Sequence, residues 1–182
     1  MDPKQVLVNN LCEALKQLQR YLVLALVASL SLMLLQLSSI PLGGQMIQLP
    51  GVVTTVDVRI AKLILGAAHF LLGLLAIASI ENAKNIALKI NDQELRDAAL
   101  SYPTVATDTD SWVRRPACLA PALFFLIALA AWTYKHPKRE WAFVIAAFIF
   151  GVLPYLALMI RVEYFSDSSA TAKADGTDNQ TV

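Results

Sequence analysis

Four long apolar runs, nearly free of charge, constrain this chain more than any other feature. They occupy residues 21–37, 58–80, 117–134 and 141–160, and none contains a carboxylate. A bilayer core about 30 Å thick is crossed by about 20 helical residues, and the runs have 17, 23, 18 and 20. They are too long for strands. In lipid, only a helix satisfies their backbone N–H and C=O groups within one segment. A water-soluble bundle needs helices with polar outer faces, and the third and fourth runs hold almost no polar residues to build one. Only 16 % of the chain is charged, against about a quarter in a soluble domain, and nearly all of that charge lies in the connections. The expected fold is therefore all-α, an integral membrane four-helix bundle.

The first run is read as a retained span. At 17 residues it exceeds a signal-peptide core of about 7–15 residues, and no small-x-small cleavage site follows it cleanly.

Around the spans, three further units are expected. Residues 1–20 form an amphipathic N-terminal helix, because Leu7, Leu11, Leu15 and Leu18 recur at helical spacing behind Asp2-Pro3. It can lie on the membrane surface or pack on the connection after span two. That connection, residues 81–116, is read as a helical cytoplasmic loop. In it the helix of span two continues through ENAKNIALKI and breaks at Asn91-Asp92. A short helix follows from Asp92 to Tyr102, with Asn91 and Glu94 at capping-box spacing. Residues 166–182 lack large apolar residues until Val182 and are read as a disordered tail. The spans and their connections form one domain, residues 21–165. Between spans one and two, residues 47–49 and 52–56 suit a short hairpin around Pro50-Gly51, with Asp57 capping span two. Pro154 should kink span four, and Pro121 falls in the first turns of span three, where proline costs less.

Basic residues set the orientation. With both termini in the cytoplasm, Lys4, Lys16, Arg20, Lys84, Lys89, Arg96, Arg114, Arg115, Arg161 and Lys173 lie inside; Lys135, Lys138 and Arg139 lie outside. Trp132 and Trp141 flank the outer turn, and Trp112 precedes span three, as interfacial aromatics do. A bacterial-type inner (plasma) membrane is the expected location.

The residues that could carry chemistry lie mostly on span two. Arg59, Lys62, Gly66, His69, Gly73 and Ile77 follow one another at three- and four-residue steps and share one helix face. On span one, Ser29 and Gln36 are seven apart. In an antiparallel hairpin Ser29 reaches the depth of His69, and Gln36 that of Arg59 or Lys62. A polar seam of Arg59, Lys62, His69, Ser29 and Gln36 is thus expected between spans one and two. Ionisable groups at membrane depth face protein or water, so the seam is either a ligand or ion pathway or a set of locally satisfied groups. Gly66 and Gly73, with Ala147 and Gly151 on span four, are expected at close helix approaches.

Catalytic signatures do not occur: there is no HExxH, phosphate loop or GxSxG. His69 and His136 are the two histidines, and Cys12 and Cys118 have no metal-ligand spacing. Neither a metal nor a cofactor is expected, nor catalysis. A net charge of +1 offers no field for nucleic acid. The leading expectation is a non-catalytic multi-pass membrane protein that serves as a subunit, anchor or small effector. Its partners are the lipid bilayer and either another protein or further copies of itself. Two other readings are an oligomeric channel or transporter built on the seam, and a membrane enzyme that holds lipid headgroups at Arg114 and Arg115.

Overall fold

The computed structural model describes residues 3–38, 46–48, 55–90, 92–100, 104–107, 110–136 and 141–177. Five helices dominate them: α1 (Pro3–Leu37), α2 (Val58–Ala87), α3 (Gln93–Leu100), α4 (Ser111–Lys135) and α5 (Trp141–Thr177). Strands β1 (Met46–Gln48) and β2 (Thr55–Asp57) pair antiparallel, with Ile47 opposite Val56, and join α1 to α2. α1, α2, α4 and α5 are long and apolar enough to cross a membrane.

Local chemistry fixes where the helices begin. Asp57 caps α2 by accepting from the Arg59 amide at 2.8 Å. Asp110 does the same for α4 through the Trp112 amide, also at 2.8 Å. At α3, Asp92 accepts from the amides of Leu95, through its side chain, and Arg96, through its carbonyl. Each satisfies amides that a helix start leaves unpaired. Asn91, expected in a capping box, lies outside the described residues.

The four long helices form a ring in which α1 packs on α2 and α4, and α5 packs on the same two. The bundle has two unlike ends. At the ribbon end lie the C-termini of α1 and α4 and the N-termini of α2 and α5. At the opposite, loop end the core is thick. Leu11, Leu15 and Leu18 of α1 pack there with Ile80 of α2 and with Leu158 and Val162 of α5. Ala99 of α3 and Ala106 of the following turn join that core. The ribbon-end core is thin, mainly Ala28, Leu32, Ala61, Leu65 and Ala128, and α5 supplies none of its buried members.

Outward faces are apolar too. At most a third of each span's most apolar window is buried in the protein. Leu63, Leu74, Leu75, Leu123, Ile145 and Phe148 all point outward. So continuous an apolar exterior far exceeds what soluble monomers expose. Together with four helices of spanning length, it points to an integral membrane protein.

The N-terminal amphipathic helix runs into span one as α1, unbroken for 35 residues, about 50 Å at 1.5 Å per residue. Of its two expected placements it takes the second, its leucine stripe buried in the loop-end core with Ile90 and Ala99. Two expectations need correction. The stretch after residue 165 was expected to be a disordered tail, but the α5 backbone continues as helix to Thr177. Propagating an existing helix costs far less than nucleating one, and Ala170, Ala172 and Ala174 favour it. Pro121 is not in the first turns of its helix. The Asp110 cap starts α4 ten residues before it, so Pro116 and Pro121 both lie inside.

The unequal burial of the two faces of α1 gives a test. Leu15→Ala removes a side chain with no exposed surface and should cost about 2–5 kcal/mol. Leu34→Ala, on the outward face, should leave stability within about 0.5 kcal/mol. Unfolding in detergent micelles, followed by circular dichroism, distinguishes the two.

Candidate functional site

Two polar groupings lie within the spans. The first surrounds His69, which is completely buried. Its Nε2 lies 2.9 Å from the Gly151 carbonyl of α5. A carbonyl only accepts, so this nitrogen carries the proton. Pro154 removes the helical donor of the Phe150 carbonyl, one residue before Gly151, so the bond from His69 is an additional one to the Gly151 carbonyl.

Tyr155 completes the grouping from α5. Its hydroxyl donates to the His69 backbone carbonyl at 2.6 Å and lies 3.4 Å from His69 Nδ1. The ring reaches that carbonyl because it crosses α2 over Gly73. A Cβ placed on Gly73 would stand 3.0 Å from Pro154 Cβ and 3.2 Å from the Tyr155 ring. From α4, across the diagonal of the ring, Phe125 stacks on the imidazole with centroids 4.8 Å apart and planes within 6°. Gly151 makes room for Phe125: an added Cβ would sit 2.0 Å from Phe125 Cε1. Three helices are thus locked around one imidazole.

The second grouping lies at the ribbon end. Lys62 Nζ donates to Gln36 Oε1 at 3.1 Å. Lys135, at the end of α4, donates to the backbone carbonyls of Gln36 and Ser38. Two ammonium groups therefore converge on the C-terminus of α1, where unpaired carbonyls and the helix dipole favour positive charge. Beside them opens a cavity of about 840 Å³. Leu32, Gly66, Phe125 and Ala128 form its apolar part, Arg59 and Lys62 its cationic side, and Trp132, His136, Phe143 and Ala147 its remaining wall. The His136 ring stacks on Trp132 at 5.2 Å, and its Nδ1 donates to the Trp132 carbonyl at 3.0 Å.

The structure distributes the expected seam between these two groupings. Gln36 and Lys62 meet, and Arg59 lines the same cavity. Ser29 is buried, but its hydroxyl turns back to the Leu26 carbonyl at 3.0 Å. His69 is held by the Gly151 carbonyl of α5 and also meets the Ala25 backbone of span one. Leu65 and Ala28 pack in the apolar cluster between the two depths. Of the four small residues expected at close approaches, Gly73 and Gly151 serve that purpose. Gly66 does not: a Cβ there would meet nothing within 4 Å, because it and Ala147 face the cavity.

Sequence reasoning missed Tyr155, Phe125 and Lys135. Lys135 carried a signal, since antiparallel packing brings the last turn of α4 beside the last turn of α1. Phe125 and Tyr155 carried none that separates them from other apolar-face aromatics. Arg114 and Arg115, candidates for holding a phosphate, are engaged within the fold: Arg114 donates to Ser166, and Arg115 pairs with Glu163. Among the described residues no three His, Cys, Asp or Glu side chains gather as metal ligands would. Comparison of the chain with protein families, curated proteins and solved structures gave no match.

The glycines yield the sharpest prediction. Gly151→Ala drives a methyl group into the Phe125 ring and should destabilise the protein by about 1–3 kcal/mol. Gly73→Val should do likewise. Gly66→Ala meets no neighbour and should be neutral or slightly stabilising, since alanine is the better helix former. Thermal unfolding of the three variants in one detergent ranks them.

Proposed function

We propose that this is a non-catalytic multi-pass membrane protein that acts as a subunit, anchor or small effector and presents its loop end to a protein partner or to further copies of itself. We place that end and both termini in the cytoplasm of a bacterial-type inner membrane. The observation that carries the reading is the extra layer of structure at the loop end. With 35 and 37 residues, α1 and α5 measure about 50–55 Å, about 20 Å more than a bilayer core. Through Leu11 and Leu15 of α1 and Val162 and Phe165 of α5 they pack, with α3 and the turn at Thr104–Thr107, in the thick core.

That layer is also bound electrostatically. Lys4 bonds Asp92 at 3.1 Å, Arg161 bonds Glu81 at 2.9 Å, and Lys84 lies 4.5 Å above the Tyr164 ring. Exposed pairs of this kind add little stability singly. Their value is positional, since they hold several elements in one rigid face. Rigid, folded surfaces suit docking because little entropy is lost on binding. The greater number of basic residues at this end supports its cytoplasmic placement.

Two measurements test the proposal. Single cysteines at Asn9 and at Tyr134, in a Cys12→Ser/Cys118→Ser background, should react oppositely with a membrane-impermeant maleimide in intact cells. Tyr134 should label, and Asn9 only after permeabilisation; the reverse pattern overturns the orientation. Purified in mild detergent, the protein should bring down a partner or run as an oligomer. A stable monomer with nothing bound, at every concentration tried, counts against the subunit role.

A further inference from the structure

The ribbon-end cavity has features that the proposed docking role does not use. Over residues 141–150, the first turns of α5, no side chain is buried. Before Phe150 meets the Phe70 ring of α2, at 5.3 Å, α5 leaves a space among the four long helices, and that space is the cavity. Its mouth opens sideways among outward-facing apolar residues: Leu63 is 75 % exposed and Phe143 56 %. A void of this size among apolar side chains forfeits their dispersion contacts unless something fills it. Its volume of about 840 Å³ falls within the ~300–1,000 Å³ typical of small-molecule sites.

The lining specifies the occupant. Leu32, Gly66, Phe125 and Ala128 call for a hydrocarbon chain. Arg59 and Lys62, about a turn apart at the start of α2, call for an anion at one end of it. Among the described residues, no acidic side chain lines the cavity. Lys62 bonds only neutral oxygen, and Lys135 approaches the same glutamine. Two like charges held close gain from an anion between or beside them. The exposed apolar residues Leu63 and Phe143 beside the cavity give an acyl chain a route into it from the bilayer.

We propose that this cavity binds an anionic phospholipid, with one acyl chain along Leu32, Gly66, Phe125 and Ala128 and the phosphate at Arg59 and Lys62. Gly66 then has a purpose other than close helix packing, namely to leave the chain's path open. The inference requires the four long helices to be membrane spans, but not any particular partner at the loop end.

The full-length chain, incorporated into nanodiscs with equal phosphatidylglycerol and phosphatidylcholine, is released into detergent, and retained lipid is counted by native mass spectrometry. The wild type should retain phosphatidylglycerol with a preference of at least about tenfold, equivalent to about 1.4 kcal/mol. The Arg59→Gln/Lys62→Gln double variant should bring that preference close to one. Gly66→Leu, whose side chain enters the cavity without a clash, should lower retention of both lipids. Circular dichroism and thermal midpoints confirm that each variant is folded. Equal retention of the two lipids by the wild type overturns the proposal, as does a preference that survives in both variants. So does a wild-type dimer that retains no lipid and is dissociated by Gly66→Leu, which would make a second copy the occupant. Solubility of the chain in buffer without detergent would instead remove the membrane reading itself, and is observed separately.

Discussion

In hydrocarbon, helices gain almost nothing from hiding apolar side chains, because the solvent is as apolar as they are. What holds them together is close packing and the satisfaction of polar groups that have nowhere else to go. In this protein both requirements converge on His69. The imidazole bonds the carbonyl of Gly151, Tyr155 bonds the carbonyl of His69, and Phe125 covers the ring. The Tyr155 and Phe125 contacts each depend on an absence, that of a Cβ at Gly73 and at Gly151. Losing any one of them leaves a buried polar group without its partner or places a methyl group inside a ring. The position of α5 against α2 and α4 follows from this cluster more than from any broad apolar interface.

The bundle is asymmetric about that cluster. Toward the loop end, alternating large and small residues interlock, and cations meet carboxylates or an aromatic face. Toward the ribbon end the core thins to alanines and a few leucines, α5 withdraws, and cations meet backbone and amide oxygen. A thick, internally neutralised end can be a docking face. A thin, cationic end beside a cavity is suited to hold something small, apolar and negatively charged. The two ends therefore support different kinds of binding in one chain, at opposite ends of the spanning helices.

Much of this architecture is legible in the residues. The four spans follow from run length and missing charge. The Asp57 cap, the ribbon and the meeting of Gln36 with Lys62 follow from local chemistry and antiparallel depth matching. Other features depend on which helices become neighbours, which a periodic pattern does not encode. The stripe on α2 shows that His69 and Gly73 share a face, but not that the face meets α5. Gly66 lies on the same stripe as Gly73, yet the two have opposite surroundings, because α5 is close at Pro154 and distant at Ala147. The tail was misread for a different reason. Composition reports whether a segment can form a core, whereas a helix already about seven turns long extends through polar residues without needing one.

The same geometry bears on whether the polar groups form a path. A conduction route needs polar side chains at successive depths facing a shared space. Here Lys62 and His69 share a helix face but not a space. They are two turns apart, about 10 Å along α2, and Leu65 and Ala28 pack between those depths. Ser29, the group best placed to bridge them, spends its hydroxyl on its own helix. His69 directs its proton sideways to α5 instead of along the bundle axis. An imidazole so engaged is better understood as a rivet between helices than as a relay, and the chemistry open to a ligand lies one level higher, where Arg59 and Lys62 face the cavity.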